Sequence, residues 1–129
     1  MGGIIERMKN WPDATIMKGI LLTIALALGA SILTAFAIEP FEGKTPAQYA
    51  NDPKSDLSGA PHNFITAVAQ EDAIQQLEKN PNAYKGKRTS EISKIGQGRA
   101  LRHNLRADDA LNYDVSFYQA IEALQTQYH

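Results

Sequence analysis

The three histidines are the first candidates for chemistry, because an imidazole can bind a metal or transfer a proton near neutral pH. His62, His103 and His129 stand far apart in the chain. None has a second histidine or a carboxylate four residues away on a helix, the spacing typical of a zinc pair. Three arginines surround His103, which favours contact with an anion over a metal. We expect all three histidines to be exposed surface side chains.

Two other patterns have the residue types of a reactive site. Gly96-Gln97-Gly98-Arg99 is similar to a phosphate-binding loop, but Leu101 stands where the third glycine belongs and no strand precedes it. We expect a break between two short helices there. The adjacent acids Glu71-Asp72 and Asp108-Asp109 point about 100° apart on a helix and are expected to face solvent. The sequence predicts no catalytic residue, no cofactor, no metal and no small-molecule substrate.

The composition limits the remaining choices. The chain has 129 residues, a net charge of −1 and no cysteine, which excludes a disulfide scaffold, a cysteine zinc site and an iron–sulfur cluster. Residues 19–38 carry no formal charge, and at about 1.5 Å per residue they cover a hydrocarbon layer of about 30 Å. We predict a single transmembrane helix over residues 13–38, preceded by an interfacial segment over residues 1–12.

The ends of this segment allow two interpretations. Arg7, Lys9 and Lys18 precede it, and the stretch that follows is acidic, which favours a cytoplasmic N-terminus and an exported C-terminal region. For a bacterial chain this means the inner membrane. The alternative is a secretory signal peptide, because Ala35-Phe36-Ala37 resembles a cleavage site.

Small residues recur every four positions within the predicted span, where they let a second helix approach closely. They form two rows: Ala25 and Gly29 on one, and Ala27, Ser31 and Ala35 on the other. We predict that these rows pack on another subunit, the alternative being that they face lipid.

Residues 39–63 contain four prolines and little periodicity, which predicts an extended linker or arm. Phe41, Tyr49 and Leu57 lie eight residues apart within it, a spacing that favours pockets on a partner. The alternative is a flexible linker with scattered apolar residues.

Residues 64–129 predict a small helical region outside the membrane. Apolar residues recur at helical spacing over residues 64–79 and 114–128, and no segment alternates like a strand. The fold class is therefore mainly α, with no sheet. Large apolar side chains are few, so we expect these short helices to complete their core against another chain.

The charge layout supplies the last candidate site. Residues 79–106 carry eight basic side chains and one acid, between two acidic flanks. Arg99, Arg102 and Arg106 are predicted to dock an acidic surface of a partner, and pairing with the acidic flanks or with lipid headgroups are the alternatives. Nucleic acid is the least favoured partner, because the region is expected to be exported and Tyr84 is its only aromatic residue.

These expectations combine into a non-catalytic, single-span accessory subunit of a membrane complex. It would stabilise neighbouring subunits through its helix and exported arm, and its partners would be those subunits and the lipid bilayer. An electron-transfer complex of respiration or photosynthesis is one such assembly. The alternatives are a structural component of an envelope machine or of a membrane-containing virus particle, and an exported binding protein with a cleaved signal peptide.

Overall fold

A computed structural model of the chain describes residues 38–128, with side chains to residue 125. Within that range the chain is helical and has no sheet, which confirms the mainly α prediction. The elements are α1 (Pro46–Asn51), α2 (His62–Lys79), α3 (Thr89–Arg102) and α4 (Ala107–Tyr128).

The predicted segments over residues 1–12 and 13–38 lie outside the described residues, apart from Ile38. So do the small residues predicted to pack on another helix: Ala25, Ala27, Gly29, Ser31 and Ala35. In the described part of the chain, no helix combines the length and the apolar character needed to cross a membrane.

Residues 39–63 are not the extended arm that the prolines suggested. Thr45 and Gln48 form a capping box: the Thr45 hydroxyl accepts from the Gln48 amide at 3.3 Å, and the Gln48 side chain accepts from the Thr45 amide at 2.8 Å. Pro46 occupies the first turn of α1, where a missing N–H costs nothing. A proline that suggested extended chain therefore begins a helix.

Three aromatic rings attach this segment to the rest of the fold. Phe41, Tyr49 and Phe64 have ring centroids 5.4–6.1 Å apart, and the Tyr49 hydroxyl donates to the Phe41 carbonyl at 3.1 Å. Phe41 also pairs with Lys44 through two backbone hydrogen bonds of 3.0 Å. The folded body, which we define as residues 41–128, therefore begins at Phe41.

The core lies around α2. This helix was expected to have one apolar face, but it is buried on most sides from Phe64 to Leu77 because α1 and α4 pack against it and Arg99 of α3 reaches its Asp72. The other large core side chains come from all parts of the body: Tyr49, Leu57, Tyr84, Ile92, Leu105, Tyr113, Phe117, Ile121 and Leu124. In the described residues these side chains are buried within the chain itself, without the second chain that the sequence led us to expect.

α3 continues without a break through both glycines. A Cβ at Gly96 would lie 3.0 Å from Asp114 Oδ1 and 3.2 Å from Phe117 Cδ2, closer than ordinary contact, whereas a Cβ at Gly98 would meet nothing within 4 Å. Gly96 therefore allows α3 to lie directly against α4. The last helix also starts earlier than its apolar spacing suggested, at Ala107, so Asp114 lies inside it and not at its end.

Candidate functional site

A buried ionic cluster joins α2, α3 and α4. Asp72 of α2 is fully buried, and its Oδ1 accepts from Arg99 Nη2 at 2.6 Å. Its Oδ2 accepts from Arg99 Nε and from the Tyr113 hydroxyl, the latter at 2.6 Å. One carboxylate is thus shared by one side chain from each of the other two helices.

This pairing corrects two expectations. Asp72 does not face solvent, because its side chain points to the interface of three helices. Arg99 was predicted to dock a partner, but its side chain is 14% exposed and its guanidinium is bonded to Asp72 within the chain. Pairing with an acidic flank, the alternative left open above, is what Arg99 does.

Tyr113 is held in its neutral form. Burial, and then the neighbouring Asp72 carboxylate, raise the pKa of the Tyr113 phenol well above its usual value. The phenol therefore keeps its proton and remains a hydrogen-bond donor to Asp72. The Asp72 carboxylate requires a donor here, because an ionised carboxylate only accepts hydrogen bonds.

His103 lies beside this cluster and is buried, which corrects the expectation of an exposed side chain. Its Nδ1 lies 2.8 Å from the Ser55 carbonyl oxygen, and its ring centroid lies 5.4 Å from that of Tyr113. Burial lowers the pKa of His103, since the cation would lose its hydration. His62 is exposed, as expected, and His129 lies outside the described residues.

A second buried carboxylate lies at the contact between α3 and α4. Asp114 Oδ2 accepts from the Ser93 hydroxyl at 2.9 Å and from Gln97 Nε2 at 3.4 Å. Asp114 Oδ1 has no hydrogen-bond partner among the described residues and faces Gly96. In residues 38–128 no group of three or more histidines and acids is placed to hold a metal ion.

The apolar residues predicted to enter a partner are used inside the chain. Tyr49 and Leu57 are 2% and 0% exposed, and Phe41 is half-buried against the other two rings of its cluster. The pockets that they fill belong to this chain, so the prediction was wrong for Tyr49 and Leu57.

Two of the predicted docking residues, Arg102 and Arg106, are exposed. Leu101 lies near the end of α3 and Leu111 near the start of α4, on either side of the connection that follows Arg102 and contains Arg106. They are 58% and 59% exposed and are the large exposed hydrophobic side chains of the described residues. In the sequence, Leu101 was considered as the residue in place of a third glycine, and Leu111 was not considered. Their signal was available, since each is a leucine that breaks the periodicity of its helix.

Four other exposed basic residues lie at the opposite end of the body. The turn between α2 and α3 carries Lys85, Lys87 and Arg88, and Lys79 precedes it. Arg88 contacts Glu91 at 3.6 Å, an exposed pair of little energetic weight.

No protein-family profile, curated protein sequence or solved structure matches this chain. Its function is inferred from the residues described above.

Proposed function

We propose that this chain is a non-catalytic, single-span accessory subunit of a larger membrane complex, with its N-terminus cytoplasmic and its helical body exported. One observation carries the proposal. Only Glu39 and Pro40 separate the uncharged run of residues 19–38 from Phe41, the first residue of the folded body.

A link this short limits where the body can go. At about 3.6 Å per residue at most, the three steps from Ile38 to Phe41 span less than about 11 Å even when extended, and Pro40 restricts them further. A body tied this closely to a membrane helix acts on neighbours in the same membrane complex. A long flexible arm, by contrast, would let it search a wide volume.

The far end of the body supplies a surface for such a neighbour. α2 has 18 residues and is about 27 Å long. Phe64 lies in its first turn beside Phe41, and Lys79 is its last residue. Lys79, Lys85, Lys87 and Arg88 therefore lie a helix length from the anchor. We propose that this basic end, in place of Arg99, contacts an acidic surface of another subunit.

Membrane extraction with alkaline carbonate, followed by intact-mass measurement, tests the anchor. We expect the full-length chain to stay in the membrane fraction with residues 1–37 present. Release into the soluble fraction would contradict the proposal.

Retention on the native complex tests the basic end. We expect the Lys85→Gln/Lys87→Gln variant to leave the complex at lower salt than the wild type, because exposed charge pairs are screened within about 8–10 Å. The matched control is Lys44→Gln/Lys54→Gln, which removes the same charge from exposed residues near the anchor. Equal retention of both variants and the wild type would contradict docking through Lys85 and Lys87.

A second candidate is an exported binding protein with a cleaved signal. Ala35-Phe36-Ala37 directly precedes Ile38, which already packs against the core, so cleavage there would release an intact body. The mass measurement decides between the candidates, since loss of residues 1–37 supports the second one.

A further inference from the structure

The connection between α3 and α4 presents two leucines and two arginines on one outer corner. α3 and α4 are antiparallel: Thr89 bonds Glu122 at one end, Gln97 meets Asp114 near the middle, and residues 103–106 join the helices at the other end. Leu101 lies one turn beyond Gln97 on the same side of α3, and Leu111 lies one turn before Asp114 on the same side of α4. The two leucines therefore border the same seam, beside the connection.

This corner lies at the end of the body where the chain emerges from the predicted span. The His103 carbonyl accepts from the Leu57 amide at 2.9 Å, and His103 Nδ1 lies against Ser55. On the other side of the corner, Asn112 Nδ2 donates to the His62 carbonyl at 3.0 Å, at the start of α2.

Ile38 lies at the same end. It lines a surface cleft with Phe41, Pro61 and Phe64, the residues that begin the body and the first turn of α2. Residues 1–37, which precede the described range, thus join the body at the end that carries Leu101 and Leu111.

We propose that this corner, defined as Leu101, Arg102, Arg106 and Leu111, rests on the phospholipid surface of the membrane that holds residues 19–38. The inference depends on the anchor described under the proposed function. Exposed leucines at that level enter the boundary between headgroups and acyl chains, and a guanidinium matches a lipid phosphate through two parallel hydrogen bonds.

The charge around the corner indicates which part of the lipid is bound. Asp56 and Asp108 are exposed nearby and offset the two arginines, so the corner has no large positive field. A phosphate is present in zwitterionic and anionic phospholipids alike, and the contact therefore does not need anionic lipids. The lysine-rich far end differs in this respect, because it carries point charges without exposed leucines.

The absence of cysteine from the chain makes a direct test simple. Single cysteines are introduced as Leu101→Cys, Leu111→Cys and, at the far end, Lys87→Cys, each in the full-length protein. Each is labelled with an environment-sensitive fluorophore and reconstituted in phosphatidylcholine vesicles that contain shallow spin-labelled lipid as a quencher. The control preparation is the same vesicle without the quencher.

We expect the spin-labelled lipid to reduce emission about twofold at residues 101 and 111 and to leave residue 87 nearly unchanged, as for side chains at the headgroup boundary. If the quencher leaves the emission unchanged at all three sites, the inference is overturned. Equal quenching at all three sites would overturn it as well, since the body would then lie on the membrane without a preferred corner.

A charge variant separates the arginines from the leucines. Arg102→Gln/Arg106→Gln is expected to weaken quenching at residue 111, because it removes the guanidinium groups that bond the lipid phosphates, whereas Lys85→Gln/Lys87→Gln leaves it unchanged. The same effect from both variants would show that net charge, and not the corner, controls the contact.

Carbonate extraction of each labelled protein keeps this inference distinct from the proposed function. Protein that stays in the membrane but keeps residues 101 and 111 in water contradicts the lipid contact alone. Protein that leaves the membrane contradicts the anchor.

Discussion

Asp72 and Asp114 are both buried carboxylates, yet their surroundings differ. Asp72 is 0% exposed and has both oxygens occupied by Arg99 and Tyr113, whereas Asp114 is 4% exposed and has one oxygen bonded to Ser93 and Gln97. Asp72 has a cation beside it. Asp114 has neutral donors that border solvent.

The difference separates two uses of a buried charge. Asp72, Arg99 and Tyr113 together connect three helices, so removing any one of them is expected to lower the free energy of unfolding substantially. At Asp114 water can replace neutral donors that are partly exposed, so a loss is expected to cost less. Burial alone therefore does not measure the importance of a carboxylate.

The largest expected effect is at Asp72. Asp72→Ala leaves the Arg99 guanidinium largely buried without a counter-charge, and we expect it to lower the free energy of unfolding by about 3–5 kcal/mol. Asp114→Ala is the matched control and is expected to cost about 1 kcal/mol. Urea unfolding of the full-length chain in mild detergent measures both, and equal losses would remove the distinction.

Tyr113→Phe is the next test. It removes the hydroxyl that donates to Asp72 and keeps the ring in the core, so we expect a loss of about 1.5–3 kcal/mol, the range for a hydrogen bond to a charged group. Ser93→Ala removes the corresponding donor of Asp114, and its cost is expected to be about 1 kcal/mol or less. If Ser93→Ala destabilises more than Tyr113→Phe, the order proposed for the two carboxylates is wrong.

Two alanine substitutions in α3 test the packing against Asp114. Gly96→Ala introduces a methyl group 3.0 Å from Asp114 Oδ1 and is expected to cost about 1–3 kcal/mol. Gly98→Ala meets nothing within 4 Å and is expected to stabilise the protein by about 0.5–1 kcal/mol, because alanine favours a helix over glycine. A stabilising Gly96→Ala would mean that α3 and α4 separate easily.

The smallest expected effect is that of pH on His103. Burial lowers its pKa in the folded state, so below about pH 6.5 the unfolded chain binds a proton that the folded chain resists. The contribution of His103 to stability should therefore be complete above its pKa in the unfolded chain. It should be lost as the pH falls from there through its lower pKa in the folded chain. His103→Gln should flatten this acid limb relative to His62→Gln, an exposed control, and a limb unchanged by His103→Gln would exclude His103 as its cause.

The sequence predicted α2 and most of α4, but not α1, the unbroken α3 or the surroundings of these helices. Periodicity located α2 within two residues of its start, because apolar spacing reports the helix itself. The capping box at Thr45 and Gln48 was also readable in the sequence, but the prolines around it were weighted more heavily.

The ionic cluster could not be read from the sequence in the same way. Arg99 lies 27 residues from Asp72 in the chain, and Tyr113 lies 41 residues from it. Spacing rules cover side chains on one helix, and a contact between three helices depends on how they pack. For the same reason the glycine pair was read as a break, although Gly96 is a point of contact with α4.

The position of α4 in the chain has a consequence for how the body is made. The last large core side chains, Phe117, Ile121 and Leu124, come after every residue that they cover on α2 and α3. A chain that is synthesised from its N-terminus onward would therefore hold Asp72 without Tyr113 until α4 has emerged. During that interval the unfinished body would expose its core side chains, and a chaperone would bind it most strongly just before α4 arrives.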